Sequence, residues 1–244
     1  IALLFLIGIG LYIRSLAVTM VNLETRPLEV GLIGKIDTAE PALLKNSNEV
    51  LLASMLYEGL FCYDEESSEL KPNLAQKWVM SSDNKSLVVV LKKDIKLSNG
   101  EILNAADVKA SCEKNVKACH DWQLASLFLN IQGARELLQG KSAEISGVQV
   151  ENERALKVIL TEEMPAFPYM LTNPVFWVFD CDEGEGPPYA GTGPFKVAQN
   201  DDNKSILLVR NDDYHGGKPS LTGVRITVYP DWGSAFQAYQ QGRL

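Results

Sequence analysis

The chain has 244 residues, 46% of them hydrophobic and 22% charged, with a net charge of −8 at neutral pH. This is enough apolar material for one large domain or two small ones. An acidic chain lacks the basic footprint that phosphate backbones demand, which argues against nucleic acid as a partner, and its scattered charges read as a solvated surface.

Ile1–Ile13 is apolar apart from glycine and Tyr12, and Arg14 ends the run. A membrane-spanning helix needs about 20 apolar residues, so this stretch is short for one. Residues 1–20 read as the core of a secretory signal, with Ser15-Leu16-Ala17 for cleavage, or as an uncleaved anchor; either exports the body. No starting Met or basic leader precedes the run, and no cysteine for lipid attachment follows it closely.

Pro27–Ile33 is a predicted strand, and Asp37–Pro41 a turn with a proline stop. Asn48 is the expected cap of a helix over Glu49–Tyr57, whose Val50, Leu51, Leu52, Met55 and Leu56 share one side. Gly59 stops it, and Leu60, Phe61 and Tyr63 are extended. Lys71–Trp78 reads as a compact turn with Trp78 plugging a core. Ser86–Lys92 is apolar on both faces, the pattern of a strand covered on two sides. Ser98-Asn99-Gly100 is a tight turn. Asn104 caps a helix running to about Lys117, with Asp107 in its first turn.

A second helix is expected over Trp122–Gln139, broken or bent near Gly133 and stopped by Gly140. Val148 to Leu160 fits a hairpin joined at Glu151–Arg154, although that turn lacks glycine. Pro165–Tyr169 is a break, Val175–Tyr229 is strand-rich, and Ser234–Gln241 is a closing amphipathic helix. Strands and helices mix without strict alternation, so the class is α+β or mixed α/β.

Cys112 and Cys119 lie two helical turns apart, about 10 Å between Cα atoms, too far for a disulfide. The four cysteines therefore read as buried small hydrophobes, although an exported chain can pair some of them. Catalytic patterns are weak. Cys119-His120-Asp121 lacks the second ligand pair of a structural zinc site. Gly191-Thr192-Gly193 lacks the Lys-Ser/Thr of a phosphate-binding loop, and Pro194 removes a donor, so it reads as a tight turn feeding a strand. Asp201-Asp202 and Asp212-Asp213 are the usual residues of solvated turns. No catalytic residue, cofactor or metal ligand is assigned.

The most specific stretch is Gly191-Thr-Gly-Pro-Phe-Lys-Val197. It is followed by a strand ending in Arg210-Asn211, the loop Tyr214-His-Gly-Gly-Lys-Pro219, and another alternating strand. With Glu40-Pro41-Ala42, Leu56-Tyr57-Glu58-Gly59-Leu60, Leu70–Trp78, Leu91–Gly100, Asn104–Val108, Ile131–Gly140 and Gly147-Val148, it resembles the family 5 extracellular solute-binding proteins of peptide- and nickel-type ABC importers. The match runs from about Pro27 to Leu244. Two departures stand out. His215 replaces the usual tryptophan of that loop, and the chain stops at Gln241–Leu244, where the family continues Gly-Glu-(Ile/Val)-Asp and crosses to a second lobe.

The resemblance implies a periplasmic-binding-protein-like fold with an extra subdomain, of which only the first lobe is present. It implies a core sheet from 27–44 and 171–244, with 45–170 as the inserted subdomain. It implies a monomeric, non-enzymatic receptor that holds an oligopeptide between two lobes by main-chain hydrogen bonds and delivers it to a membrane permease. A nickel chelate, haem or sugar as ligand, and a membrane-anchored sensor that keeps the fold, are the alternatives. By family position the ligand-facing candidates are Asn46, Ser47, Asn48, Glu49, Trp122, Tyr214 and Tyr239. All but Tyr214 have a second reading as ordinary structure: helix capping for the Asn46–Glu49 loop, core packing for Trp122, and hinge packing for Tyr239. The first lobe alone is expected to be marginally stable.

Overall fold

The computed structural model describes residues 26–181 and 190–244. The leader Ile1–Ile13 and the Ser15–Ala17 cleavage segment lie outside the described residues. In chain order the described elements are β1 (Leu28–Ile33), α1 (Ser47–Leu56), β2 (Phe61–Asp64), β3 (Glu69–Pro72), β4 (Ala75–Met80) and β5 (Ser86–Leu91). Then come α2 (Ala105–Ala118), α3 (Trp122–Phe128), α4 (Ala134–Leu138), β6 (Val148–Asn152), β7 (Ala155–Ile159) and α5 (Phe167–Met170). β8 (Phe195–Asp201), β9 (Ser205–Arg210), β10 (Gly223–Tyr229) and α6 (Trp232–Gln240) close the list.

The described residues fall into two compact units, one comprising residues up to Lys35, Val197–Arg210 and Pro219–Leu244, the other Ile36–Lys196 and Asn211–Lys218. The first is built on a sheet of order β1-β10-β9-β8, with β1 parallel and β9 antiparallel to β10. Ile206, Leu208, Val224 and Ile226 form its buried face. Alternation puts these side chains on one side of the pleat, and α6 packs against β1 and β10, burying Ala235 and Ala238.

The second unit holds the larger core. Its sheet has the order β4-β5-β7-β6, all antiparallel, with the β2–β3 ribbon separate. Leu87, Val89 and Leu91 of β5, and Leu156 and Val158 of β7, are buried beneath Val108 and Val116 of α2 and Phe128, Ile131 and Leu137 of the segment that follows. Antiparallel sheets commonly pack one face and wet the other, and this sheet does so: Val88 is 36% exposed and Val90 half-buried. The expectation of a strand covered on both sides is therefore corrected. Trp78 does pack against the core. It lies within β4, half-buried, its ring edge-on to Phe61 at 5.0 Å. The compact turn around it shrinks to Asn73-Leu74 between β3 and β4.

Local signals held elsewhere. Gly100 turns at φ 94°, and its amide donates to Leu97 O at 2.9 Å. Asn104 caps α2 in a complete capping box with Asp107. The β6–β7 hairpin manages without glycine because Asn152 Oδ1 accepts from the Arg154 amide at 3.0 Å, an Asx turn. The helix expected over Trp122–Gln139 is broken near Gly133 into two short ones, α3 and α4, separated by residues 129–133, with Gly133 at φ 80°. Pro165–Tyr169 is not merely a break, since Phe167 and Pro168 start the one-turn helix α5.

The cysteines are free, and not all are buried: Cys119 is, Cys112 and Cys181 are half-buried, and Cys62 is exposed. Loss of solvation pushes the Cys112 thiol up to about 12 and Cys181 to about 11, and raises Cys119. A thiolate is the reactive form, so at mildly alkaline pH iodoacetamide is expected to label Cys62 rapidly and leave Cys112 and Cys181 unmodified until the chain unfolds. Peptide mapping would show it; equal labelling of all four in the native state would contradict this placement.

Candidate functional site

The end of α1 is where the sequence motifs converge. Gly191 and Gly193 run against it so closely that a Cβ on either would lie 2.0 Å or 2.8 Å from Leu56 O. The Gly193 amide donates to Leu56 O at 2.9 Å, while the Gly191 amide donates to the Ser98 hydroxyl Oγ at 3.2 Å and Gly191 O accepts from the Ser98 amide at 2.8 Å. The amides of this glycine turn are thus engaged inside the protein, and Phe195 begins β8 directly after Pro194. Pro194 O accepts from the Asn211 amide at 2.8 Å, and Gly193 O accepts from buried Asn211 Nδ2 at 3.2 Å.

Asn211 opens the Tyr-His-Gly-Gly loop, which returns to the residue after Tyr57. The Tyr214 hydroxyl donates to Glu58 Oε1 at 2.6 Å, and His215 Nε2 lies 2.6 Å from Glu58 Oε2. The side chains of Glu58 and His215 are 11% and 7% exposed. His215 Nδ1 is buried with no hydrogen-bond partner among the described residues. Gly216 is required here because a Cβ would sit 2.5 Å from the Tyr214 ring. At the loop's outer edge Lys96 pairs with Asp213 at 2.9 Å. Loss of solvation, then the hydrogen bond to Glu58, raises the Tyr214 phenol well above its ordinary value.

An acid held protonated by the fold stabilises it fully below its unfolded pKa, here about 10, and that stability is lost as pH rises through the elevated value. Tyr214→Phe is therefore expected to flatten the alkaline limb of a melting-temperature profile above that pH and to cost about 1–3 kcal/mol near neutrality, where the Glu58 carboxylate loses its hydroxyl donor. An unchanged alkaline limb would contradict the cluster.

The candidate loop before α1 is built differently from its sequence reading. The cap is Asn46, whose Oδ1 accepts from the Asn48 and Glu49 amides at 3.0 and 3.1 Å; Asn48 is inside the helix. Glu49, in the first turn, is 0% exposed. Its Oε1 accepts from the Asp37 amide at 3.0 Å and its Oε2 from the Lys45 amide at 2.7 Å, so the carboxylate pins the incoming chain from within. Ser47 is exposed, and Asn46 and Asn48 are half-buried.

Trp122 opens α3, capped by Asp121, whose Oδ1 accepts from the Gln123 and Leu124 amides. It is 68% exposed, which overturns its reading as a core residue. Tyr239 belongs to the other compact unit. On α6 it is 64% exposed and stacks on Phe236, with Trp232 one turn earlier at 79%. The structure therefore brings Asn46–Glu49 together as one cap and joins Tyr214 to His215 and Glu58. Glu58 was missed as a site residue. Its only signal was its place in the Glu-Gly-Leu motif, and its partners lie more than 150 residues away in sequence. Among the described residues, no three His, Cys, Asp or Glu side chains form a metal-binding group, and no helix is long and apolar enough to cross a membrane.

Residues 69–244 match the family model of bacterial extracellular solute-binding proteins, family 5 Middle. The chain is 29% identical over 202 residues to the nickel-binding periplasmic protein of Escherichia coli, covering 82% of this chain and 37% of that protein. It is 25% identical over 186 residues to the dipeptide-binding protein DppE of Bacillus subtilis, covering 72% and 34%. The solved structure of the Escherichia coli murein tripeptide binding protein MppA superposes with a TM-score of 0.76 at 22% identity, over 90% of this chain and 45% of that one. The chain thus spans between about a third and a half of the relatives it matches. The likeness to MppA establishes the periplasmic-binding-protein fold over a partial lobe.

Proposed function

The chain belongs to the bacterial extracellular solute-binding proteins of family 5, and from that membership we propose that its parent protein is the capture receptor of an ABC importer, taking up oligopeptides outside the cytoplasm. The family match over residues 69–244 carries this reading. In it, the ligand lies in a crevice between two lobes and is buried when they close about a hinge. The unit built on β1, β8, β9 and β10 serves as the core sheet of the first lobe and the larger unit as its insert, with an N-terminal export signal ahead of them. The receptor works as a monomer, delivers its load to a membrane permease, and catalyses no reaction.

Three features support a role for this lobe in gripping a peptide. Trp122 presents a large amphipathic ring to solvent, suited to covering a main chain. Asn46, Ser47 and Asn48 offer short polar side chains at a helix start that Glu49 holds rigid, and rigidity reduces the ordering cost of binding. Tyr214 is set in place by Glu58; Tyr239, in the other unit, is an exposed aromatic in its own right. Adaptable polar contacts and bridging water would tolerate many peptide side chains.

The test is thermal-shift titration of the full-length parent protein with a mixed di- to pentapeptide library, read beside tryptophan fluorescence. Ligand that binds only the folded state raises the melting temperature, by about 2.7 kcal/mol of stability at a hundredfold excess over Kd. A nickel chelate is the second reading, favoured by the 29% identity to a nickel-binding protein. A shift with a nickel–histidine complex and none with peptides would select it; no shift with either would remove both.

A further inference from the structure

The turn Ser98-Asn99-Gly100 takes no part in the proposed function, yet it carries the one Asn-Gly pair in the sequence. Both residues are exposed. Gly100 turns at φ 94°, and a Cβ built on it would meet nothing within 4 Å, so its backbone is open to solvent on that side. Asn99 Oδ1 accepts from the Glu101 amide at 3.1 Å. This Asx turn folds the side-chain amide back over the Asn99–Gly100 peptide.

We infer that Asn99 is a site of spontaneous deamidation and that the conversion unfastens this turn from the segment around Asp180. The Gly100 nitrogen releases its bond to Leu97 O, loses its proton to solvent and attacks Asn99 Cγ. The Cγ–Nδ2 bond breaks and the nitrogen leaves as ammonia. Water then opens the five-membered imide at either carbonyl, leaving aspartate or isoaspartate. No oxidant or reductant is involved.

The consequence follows from one contact. Asn99 Nδ2 donates to Asp180 Oδ2 at 2.9 Å. The product has no amide donor and sets a second carboxylate against the first, where like charges repel. Asp180 sits beside Phe179, which bridges to Gly191, and Gly191 is the residue bonded to Ser98. The turn and the strand segment it touches thus share these bonds. Asn46 and Asn104 are internal comparators: each Oδ1 holds two amides at a helix start, and each is followed by a helical residue bearing a side chain.

The experiment incubates the folded full chain in mildly alkaline buffer at physiological temperature and maps aspartate and isoaspartate by peptide mass spectrometry. Asn99 is expected to convert several-fold faster than Asn46 or Asn104. Independently of rate, N99D is expected to speed hydrogen exchange across 97–102, and adding D180N to restore it. Conversion at Asn99 no faster than at the two caps would overturn the site, and unchanged exchange in N99D would overturn its effect.

Discussion

Gly191→Ala is expected to destabilise the fold by about 3 kcal/mol or more, at the upper end of what overpacking costs. The added methyl would stand 2.0 Å from the Leu56 carbonyl oxygen and 2.6 Å from the Tyr57 ring. The first obstacle is backbone at the end of α1, which cannot rotate away as a flexible side chain would. Relief requires the glycine turn to back off, and that breaks the paired bonds to Ser98 and the Gly193–Leu56 bond. For a chain of this size the melting temperature should fall by roughly 10 °C. Gly217→Ala is the comparator. Its φ is 98° but nothing lies within 4 Å of the added carbon, so only backbone strain remains, about 1–2 kcal/mol. Urea denaturation of both variants checks the order; equal losses would mean that the close approach to Leu56 does not matter.

Glu49→Ala is expected to cost about 3 kcal/mol or more, because hydrogen bonds to a charged group are worth roughly 1.5–3 kcal/mol each and two are lost. The carboxylate is fully buried, has the favourable N-terminal end of α1 beside it, and holds the Asp37 and Lys45 amides. Glu49→Gln keeps one acceptor oxygen and turns an NH2 toward the other amide, so it should fall between alanine and the native residue. Hydrogen exchange should quicken over 37–46 in both variants and stay native across β5 and β7, where the core is untouched. If Glu49→Ala melted like the native protein, the internal pin would be disproved.

The two largest effects thus lie at opposite ends of α1, and their causes were unequally visible. The Gly-Thr-Gly-Pro turn was legible as a tight turn because glycine and proline restrict the backbone locally. That its glycines exist to let α1 pass at van der Waals contact was not, since the neighbour lies far away in sequence. Glu49 was singled out for its place before a helix, but as a group facing a ligand. The true cap, Asn46, takes the Asn48 and Glu49 amides, two residues ahead of those a cap at Asn48 would take, so Glu49 falls at the third helical position and not the first. Boundaries within a turn or two of a helix end are the least determined part of a sequence reading.

Features that depend on near neighbours could be read from the residues alone. The mixed class, the cap at Asn104, the turn at Gly100 and the β6–β7 hairpin follow from contacts a few residues long or from patterns of apolar spacing, while the family was legible only as a resemblance of ordered motifs. The direction of side chains whose environment comes from elsewhere belongs to the folded molecule. Trp122 faces water although core packing was one of its readings, and Val88 is exposed although its strand is apolar on both faces. Glu58 acquired Tyr214 and His215 across the length of the chain. The reason is physical: a hydrogen bond or a turn is specified by the residues that form it, whereas burial is specified by whatever the rest of the chain brings to cover that face.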